Sequence, residues 1–267
     1  MSAQEKPPGY IDTSLDGGVL RIIICNEKRY NAMSLDMWKS VAQAVTDAQS
    51  NDDVRVIVLQ GAGKKAFMSG ADISEFKEKR SDKAQAQHYA DSVNAAQSAL
   101  RSSRKPTIAA IKGICMGGGM GLSLSCDLRY STETAKFCMP AGKLGVGYAY
   151  EGIKRFVDIV GATRTAELFL TARTFSGSEA GRIGLVNEVF SEEHFDKLVD
   201  ERITSMAGYA PLTMQAVKTG IRCVLQEDDA PSVEEVSRMV VACFESDDYR
   251  EGQAAFKEKR KPNFKGK

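Results

Sequence analysis

The pattern of hydrophobic and polar positions divides the chain into two parts. In the first part, short runs rich in β-branched residues are bounded by turn residues, which predicts buried strands. These runs lie at 19–25, 54–60, 107–113, 127–132, 136–139 and 185–190. Between the first two runs, Ser34 can cap a helix whose apolar residues recur every three or four positions. Strands that alternate with helices predict an α/β fold with parallel strand pairing.

After about Ser191 the pattern changes to helical periodicity alone. It runs through three segments, at 192–209, 212–225 and 232–245, and no further strand is predicted. We therefore expect an α/β core of residues 1–195 and an all-helical C-terminal lobe of residues 196–267. The basic tail that starts at Phe256 indicates, by itself, a solvated end of the chain.

Composition excludes several classes of function. The 267 residues carry 36 Lys and Arg against 35 Asp and Glu, so a formal net charge of +1 gives no overall attraction for nucleic acid or an anionic membrane. No apolar run approaches the roughly 18 residues that a membrane helix needs. The first 18 residues are polar and lack the apolar segment of a signal peptide.

The cysteine and histidine contents point away from a metal site. The six cysteines are scattered, mostly within apolar runs, and none forms a C-x-x-C pair. The only histidines, His88 and His194, lie in polar helical stretches. We therefore expect buried free thiols, a cytoplasmic location with a reducing environment, and no metal ion.

The segment MGGGMGL at 116–122 places four glycines in five positions between two apolar runs. Each glycine costs about 0.5–1 kcal/mol relative to alanine inside a helix or strand. The spacing fits neither of the two nucleotide-binding glycine motifs, and no G-x-S-x-G nucleophile motif occurs. The remaining explanation is the close approach of another backbone or of a ligand to the main chain.

A glycine turn that opens a helix points its main-chain N–H groups outward, and such donors can hold a developing oxyanion. A second turn of this kind is MSGADI at 68–73, where Asp72 can cap a helix that begins near Ile73. Taken singly, each segment is more typical of an ordinary tight turn.

Together with three further segments, the two turns carry a resemblance to a known family. The segments are NEKRYNAMS (26–34), AFMSGADISEF (66–76), KPTIAAIKGICMGGGMGLSLSCD (105–127), TARTFSGSEAGRIGLVNEVF (171–190) and EGQAAFKEKRKPNF (251–264). The chain resembles the crotonase superfamily, the enoyl-CoA hydratase/isomerase family, along nearly its full length. The resemblance implies a crotonase-like spiral of ββα repeats, a helical trimerisation lobe, and a homotrimer or dimer of trimers. It also implies an acyl-CoA thioester substrate, with coenzyme A as part of the substrate and no separate cofactor.

The resemblance also implies which groups surround the thioester. One main-chain N–H from each turn would polarise the thioester carbonyl, and matching the motifs places these donors at Ala71 and Gly118. Other positions expected to line the acyl-CoA are Ser69, Gly70, Asp72, Ile73, Gly117, Gly121 and Ala141. A side chain at Gly117 or Gly118 is expected to crowd the acyl group, so that Gly118→Val abolishes turnover in a folded protein. Glycines required only for packing are the alternative.

Contacts to coenzyme A are implied in two further places. Lys28 and Arg29 lie in a loop that resembles the segment lining the CoA groove, where cations can meet phosphates. Phe256 and Lys259 match a pair in the tail that reaches the CoA of a neighbouring subunit. The alternatives are solvated charges and a phenylalanine that packs against a helix.

Two catalytic carboxylates of the resembled hydratases are missing here. Matching the motifs places them at Gly121 and Ala141, and neither side chain can transfer a proton. Hydration of a C=C bond needs a base for the water and an acid for the α-carbon. The usual hydratase chemistry therefore needs a substitute for both groups.

A relocated group is one substitute. The segment at 145–156 matches a turn that borders the acyl pocket in the resembled family, which makes Tyr148, Tyr150 and Glu151 candidates. Tyr148 could instead be a packed aromatic, and Glu151 a surface residue at a helix start.

Two further hypotheses need no relocated base. Decarboxylation of a malonyl-type acyl-CoA releases CO₂ and leaves the enolate directly. A third possibility is a protein that binds acyl-CoA without turning it over.

Overall fold

The computed structural model describes residues 9–75, 82–226 and 230–267. Within these ranges the strands are β1 Tyr10–Asp16, β2 Val19–Cys25, β3 Val56–Gly61, β4 Ala66–Met68, β5 Thr107–Ile111, β6 Ile114–Met116, β7 Leu128–Thr132, β8 Lys136–Cys138, β9 Phe175–Ser176 and β10 Glu188–Phe190. They form a six-stranded sheet of order β1-β2-β3-β5-β7-β10 and a four-stranded sheet of order β4-β6-β8-β9. Each run predicted as a strand contains one, shifted or shortened by no more than three residues at either end.

Ten α-helices are described in the same ranges. They are α1 Leu35–Gln49, α2 Lys83–Ser102, α3 Gly118–Ser123, α4 Ala141–Leu144, α5 Tyr150–Thr171, α6 Gly177–Arg182, α7 Phe195–Ala207, α8 Pro211–Val224, α9 Val233–Glu245 and α10 Asp247–Glu258. α5 is interrupted at Gly161, whose backbone angles are not helical.

Consecutive strands alternate between the two sheets. β3, β5 and β7 are neighbours in the larger sheet, and the strand that follows each of them lies in the smaller sheet. A helix follows each pair of strands, so that one ββα unit is repeated. Pairing is parallel from β2 to β10 and from β4 to β8. The predicted α/β fold with parallel pairing and the implied spiral of ββα repeats are confirmed.

The main core is formed by the apolar faces of the sheets and of the helices that cover them. α1 begins where the Ser34 hydroxyl accepts the N–H of Met37 at 3.3 Å, as the sequence predicted. Its buried face carries Trp38, Val41 and Val45, which are almost fully excluded from solvent. Burial of a side chain of this size contributes about 1.5–3 kcal/mol, so this face fixes α1 on the core.

The six-stranded sheet is covered on both faces. In β3, Ile57 and Leu59 belong to the main core, whereas Val56 and Val58 pack in a second cluster with Phe195 of α7. This alternation follows from the two-residue period of a strand. Because both faces are buried, the strand is apolar at each position from Val56 to Leu59, which is a strong sequence signal.

A buried lysine joins the helical C-terminal region to the core. Lys218 of α8 lies with its Nζ 2.7 Å from Asp127 Oδ2 and donates to the carbonyls of Leu100 and Lys105, both at 3.2 Å. A buried ammonium group needs such partners to offset its lost hydration. The all-helical character predicted for this region is confirmed in its described residues, whereas the boundary at residue 195 stays a prediction.

Several elements were not predicted, and in the first half of the chain the longest of them are β1 and α2. β1 is an edge strand that pairs antiparallel with β2, and most of its residues are exposed. α2 buries polar Ser92 and Gln97 beside Tyr89, Ala96 and Leu100, which weakens its apolar stripe. No described helix is long and apolar enough to span a bilayer.

Candidate functional site

The candidate site lies at the edge where three neighbouring parallel strands of the smaller sheet end. The turn at Ser69–Asp72 follows β4, Gly117 follows β6, and Ala141 is the third residue after β8. A Cβ atom built on Gly70 would lie 3.8 Å from the Gly118 nitrogen. The fold therefore brings together the two predicted glycine turns and the position of one missing carboxylate.

Backbone pairing with Met33 sets the direction of the Ala71 N–H. The N–H of Met33 donates to Gly70 O at 2.9 Å, and the N–H of Asp72 donates to Met33 O at 2.8 Å. Since both flanking residues of Ala71 use the edge that faces Met33, the Ala71 N–H points to the opposite side. The described backbone hydrogen bonds leave this donor unused.

The Gly118 N–H is left unpaired by the start of α3. Gly117 has a φ of 51°, which favours glycine, and its own N–H donates to Cys138 O at 3.0 Å. The first bond of the helix runs from Gly121 N to Gly117 O at 3.1 Å. The N–H groups of the first helical turn have no partner within the helix, and no described backbone bond uses that of Gly118.

The expectation that a side chain at Gly118 crowds the acyl group stays a prediction, because the contacts found at this position are with the core. A Cβ atom there would lie 3.3 Å from Trp38 Cζ2 and 3.4 Å from Met68 Cε, inside the core. At Gly119, a Cβ atom would lie 2.3 Å from the Met68 carbonyl oxygen. Close packing of α3 on β4 therefore requires Gly119, whereas a Cβ atom at Gly118 would press on the side chains of Trp38 and Met68, so that Gly118→Val should disturb the core. At Gly117 the nearest described atoms are those of the Pro140 ring, at 3.8 Å.

Arg29 is bonded to the turn that carries Ala71. Its Nη1 lies 2.6 Å from Asp72 Oδ2 and also donates to the Ser74 hydroxyl. Asp72 Oδ1 accepts the N–H of Ser74 at 3.0 Å, so the predicted cap is present, although it opens only a 3₁₀ turn at Ile73–Glu75. Partial burial opposes ionisation of Asp72, but hydrogen bonds from Ser74 and Arg29 hold the pKa of Asp72 below its ordinary value.

The loop that carries Lys28 and Arg29 is held to the same turn by main-chain contacts. Ser69 donates its N–H to Tyr30 O at 3.0 Å and its hydroxyl to Arg29 O at 3.1 Å. Lys28 and Ile73 are both exposed at the surface. The loop and the turn therefore form one unit, in which Arg29 is already paired and Lys28 faces solvent.

Tyr148 reaches the position of the other missing carboxylate. Its hydroxyl lies 2.9 Å from the place that a Cβ atom on Gly121 would occupy. Its ring packs edge-on against Phe169 and Phe156, with centroids 4.9 and 6.4 Å away. Burial raises the pKa of Tyr148 to about 12, although the nearby charge of Arg155 lowers it. The hydroxyl therefore keeps its proton at neutral pH.

A second polar atom at the same place was missed by the sequence analysis. Gln97 Nε2 also lies 2.9 Å from the Cβ position of Gly121, and the Gln97 oxygen accepts a hydrogen bond from Arg155. Gln97 lies in α2 and Arg155 in α5. No local motif links them, so only the fold could reveal that they meet beside Gly121.

The other candidates close to Tyr148 in the sequence have fewer contacts with the glycine turns. Glu151 lies partly exposed in the first turn of α5, and no described hydrogen bond or ion pair joins it to either glycine turn. Tyr150 is largely exposed. Ala141 packs against the main core at the start of α4.

Phe256 and Lys259 lie on the outer surface of the helical region. Phe256 is 88% exposed, and Lys259 ends α10 in a left-handed conformation. The tail beyond them folds back on its own chain, where Asp248 accepts the N–H groups of Lys265 and Gly266 at 2.6 and 2.8 Å. No described contact joins Phe256 or Lys259 to the glycine turns of the same chain.

The helical region also exposes a wide apolar surface. We call it the lobe face, and its residues are Val217, Ile221, Val224, Val233, Val240, Val241, Phe244, Tyr249 and Phe256. A cleft of about 740 Å³ lies between α8, α9 and α10. The ionisable groups of its lining are Cys243, Tyr249 and Asp248, and the Asp248 carboxylate already accepts two N–H groups of the tail.

The chain is similar in sequence to known proteins along nearly its whole length. A family model described as enoyl-CoA hydratase/isomerase matches residues 14–267. The peroxisomal Delta(3,5)-Delta(2,4)-dienoyl-CoA isomerase of Arabidopsis thaliana is 36% identical, over 95% of each chain. The short-chain-enoyl-CoA hydratase of Clostridium acetobutylicum is 32% identical, over 92% of this chain and 94% of that protein.

Solved structures of the same family are also similar to this chain. An enoyl-CoA hydratase/carnithine racemase from Magnetospirillum magneticum has a TM-score of 0.91 and 33% identity, over 96% of each chain. A family member from Hyphomonas neptunium has a TM-score of 0.87 and 32% identity, over 97% of each chain. The predicted fold is confirmed, and the relatives include both an isomerase and a hydratase by name.

Proposed function

The chain belongs to the enoyl-CoA hydratase/isomerase family of the crotonase superfamily, and we propose that it turns over an acyl-CoA thioester through an enolate held by two main-chain N–H groups. The donors are those of Ala71 and Gly118. The observation that carries this proposal is that both N–H groups are unused by the described backbone, at the adjoining ends of β4 and β6. A thioester oxygen placed between them would gain both hydrogen bonds as it becomes negative.

The two donors are held in place before the substrate arrives. Met33 fixes the turn of Ala71 through bonds to Gly70 and Asp72, and Cys138 fixes Gly117. Little reorganisation is then needed as charge develops on the oxygen. Loss of one such donor typically lowers kcat by about 10²–10³-fold.

We assign the proton transfer to Tyr148. Its hydroxyl lies at Gly121, three residues after the Gly118 donor, and its raised pKa keeps it protonated. A neutral hydroxyl can protonate the α-carbon of an enolate, and it regains the proton from solvent. Hydration also needs a base for water, for which Glu151 is the candidate that the segment offers.

Decarboxylation is the second candidate reaction. The Tyr148 hydroxyl beside Gly121 favours it because the reaction needs a proton donor there and no base. The bond between the α-carbon and the carboxylate breaks, its electron pair becomes the enolate, and CO₂ leaves. Tyr148 then supplies the proton to the α-carbon. This sequence needs no base at Gly121 or Ala141, where the chain has none.

The proposed assembly is a homotrimer or a dimer of trimers in the cytoplasm, with no cofactor beyond the coenzyme A of the substrate. The lobe face supports this proposal because an exposed apolar surface of this size is typical of an interface. Within the assembly, Phe256 and Lys259 would contact the CoA of a neighbouring subunit, and Lys28 would meet a CoA phosphate.

The oxyanion donors are tested by the spectrum of a bound ligand. The conjugated probe 2,4-hexadienoyl-CoA should show a red-shifted absorption band on binding, because a polarised carbonyl draws electron density along the diene. Tight binding without a shift would contradict the proposal.

The reaction is tested with crotonyl-CoA and methylmalonyl-CoA. Loss of enoyl absorbance supports hydration, and release of CO₂ supports decarboxylation. Thermal stabilisation by both thioesters without any product would instead indicate a protein that only binds acyl-CoA.

A further inference from the structure

Two polar groups occupy the space beside Gly121. Gln97 Nε2 and the Tyr148 hydroxyl each lie 2.9 Å from the point where a Cβ atom on Gly121 would be. Neither a carboxylate nor any other side chain fits at residue 121 without moving them. We call the surface formed by Gly121, Gln97 and Tyr148 the Gly121 subsite.

Arg155 sets the orientation of the Gln97 amide. Its Nη1 donates to Gln97 Oε1 at 3.1 Å. An arginine side chain has donors only, so the amide oxygen must face Arg155 and the NH₂ group must face Gly121. Gln97 is buried, with 7% of its surface exposed, which restricts other arrangements.

Arg155 is itself anchored to the end of α3. It donates to the Ser125 hydroxyl, and Ser125 in turn donates to the Gly121 carbonyl at 2.9 Å. Ser125 is buried. The network therefore links the guanidinium, the amide and the glycine as one fixed group.

The Gly121 subsite presents donors backed by a positive charge. Gln97 offers an NH₂ group and Tyr148 a neutral hydroxyl, while Arg155 lies directly behind Gln97. The nearby acid on the same helix, Asp158, is paired with Lys154 at 2.7 Å. A cation near partly buried donors stabilises an acceptor that carries negative charge.

We infer that the acyl group of the substrate carries a carboxylate that binds at the Gly121 subsite, and that Gln97, oriented by Arg155, is the residue that selects it. The inference rests on the proposed acyl-CoA function. It extends that function by a substrate class, the malonyl-type thioesters, in which a carboxylate follows the α-carbon.

The test compares two ligands in two proteins. Dissociation constants for malonyl-CoA and for butyryl-CoA, whose acyl group is uncharged, are measured by stopped-flow mixing before turnover depletes either ligand. The proteins are the wild type and Gln97→Glu, which keeps the shape of the side chain and its bond to Arg155 but replaces the NH₂ donor by a charged acceptor.

The wild type should bind malonyl-CoA about 10–100-fold more tightly than butyryl-CoA, as expected for hydrogen bonds to a charged group. Gln97→Glu should remove this preference and leave the affinity for butyryl-CoA within about threefold, a margin well below one tenfold step. Gln97→Met, which removes the donor without adding charge, should give an intermediate preference.

Equal affinities of the wild type for the two thioesters would overturn the inference while leaving the proposed function intact. A preference that survives Gln97→Glu would also overturn the role of Gln97. If neither thioester binds, the proposed function itself fails. Should Gln97→Glu not fold, the preference of the wild type and its loss in Gln97→Met decide the matter.

Discussion

Two regions of the molecule differ in how well one chain buries and bonds their residues. One is the sheet edge where β4, β6 and β8 end, and the other is the lobe face. At the edge, bonds from Met33 and Cys138 fix the glycine turns, and α3 is buried from Gly119 to Ser123. In the helical region, α9 has no buried residue at all. The arrangement of the two glycine turns is therefore complete within one chain, whereas the helical region leaves a wide apolar surface exposed.

The largest effect is expected at the edge, from Tyr148→Phe. Removal of a positioned acid typically lowers kcat by about 10²–10⁴-fold, and the ring packing against Phe169 should preserve the fold. Steady-state kinetics with the active thioester measures this loss. Tyr150→Phe is the matched control because Tyr150 is largely exposed, and an equal loss there would contradict the assignment of the acid to Tyr148.

Ala71→Pro removes the N–H group that we propose as an oxyanion donor. We expect kcat to fall by about 10²–10³-fold, with the red shift of bound hexadienoyl-CoA reduced. Ala71→Gly keeps the N–H and should retain both properties. Full activity in the proline variant would show that this amide does not bind the enolate oxygen.

On the lobe face, Val241→Asp should weaken subunit association by about 30-fold or more if this residue is a central contact. Sedimentation at several protein concentrations measures the change. Ala242→Asp adds the same charge at the neighbouring exposed position of α9 and should have less effect. Equal assembly of both variants and the wild type would place the interface elsewhere.

Gly118→Val should lower the free energy of unfolding by about 1–3 kcal/mol, because the new side chain would press on Trp38. Denaturant unfolding measures this change. Gly147→Val is the control, since no described atom lies within 4 Å of a Cβ atom at that position. A stable but inactive Gly118→Val protein would support the expectation from the sequence.

The smallest effect concerns the pair between Arg29 and Asp72. Since the folded state lowers the pKa of Asp72, the pair contributes stability above the ordinary value of 3.8, which is lost as the pH falls below it. Arg29 is half exposed, so the contribution should be less than about 1 kcal/mol. The free energies of unfolding of wild type and Asp72→Asn, measured from about pH 3 to about pH 7, should converge at the acid end.

The sequence predicted those parts of the fold whose signals are local. A strand such as β3 is apolar and buried from Val56 to Leu59, and the Ser34 cap depends on residues three positions apart. β1 was missed because one exposed edge strand has no such signal. The family resemblance located both glycine turns, since each is a continuous motif.

The rest of the site could not be predicted because it depends on direction and on distant contacts. Nothing in the glycine motif indicates that a side chain at Gly118 would point at Trp38 instead of the acyl group. Likewise, Gln97 and Arg155 lie 58 residues apart and meet only after α2 and α5 have packed.

The alternation of strands between two sheets also has a consequence for how the core opens. Short loops join β3 to β4, β5 to β6 and β7 to β8, so the chain connects the two sheets three times. Because the loops are short, we expect that the two sheets cannot move apart unless strand pairing within them is also lost. Amide hydrogens in both sheets should therefore exchange with deuterium at one common slow rate, as a single cooperative unit.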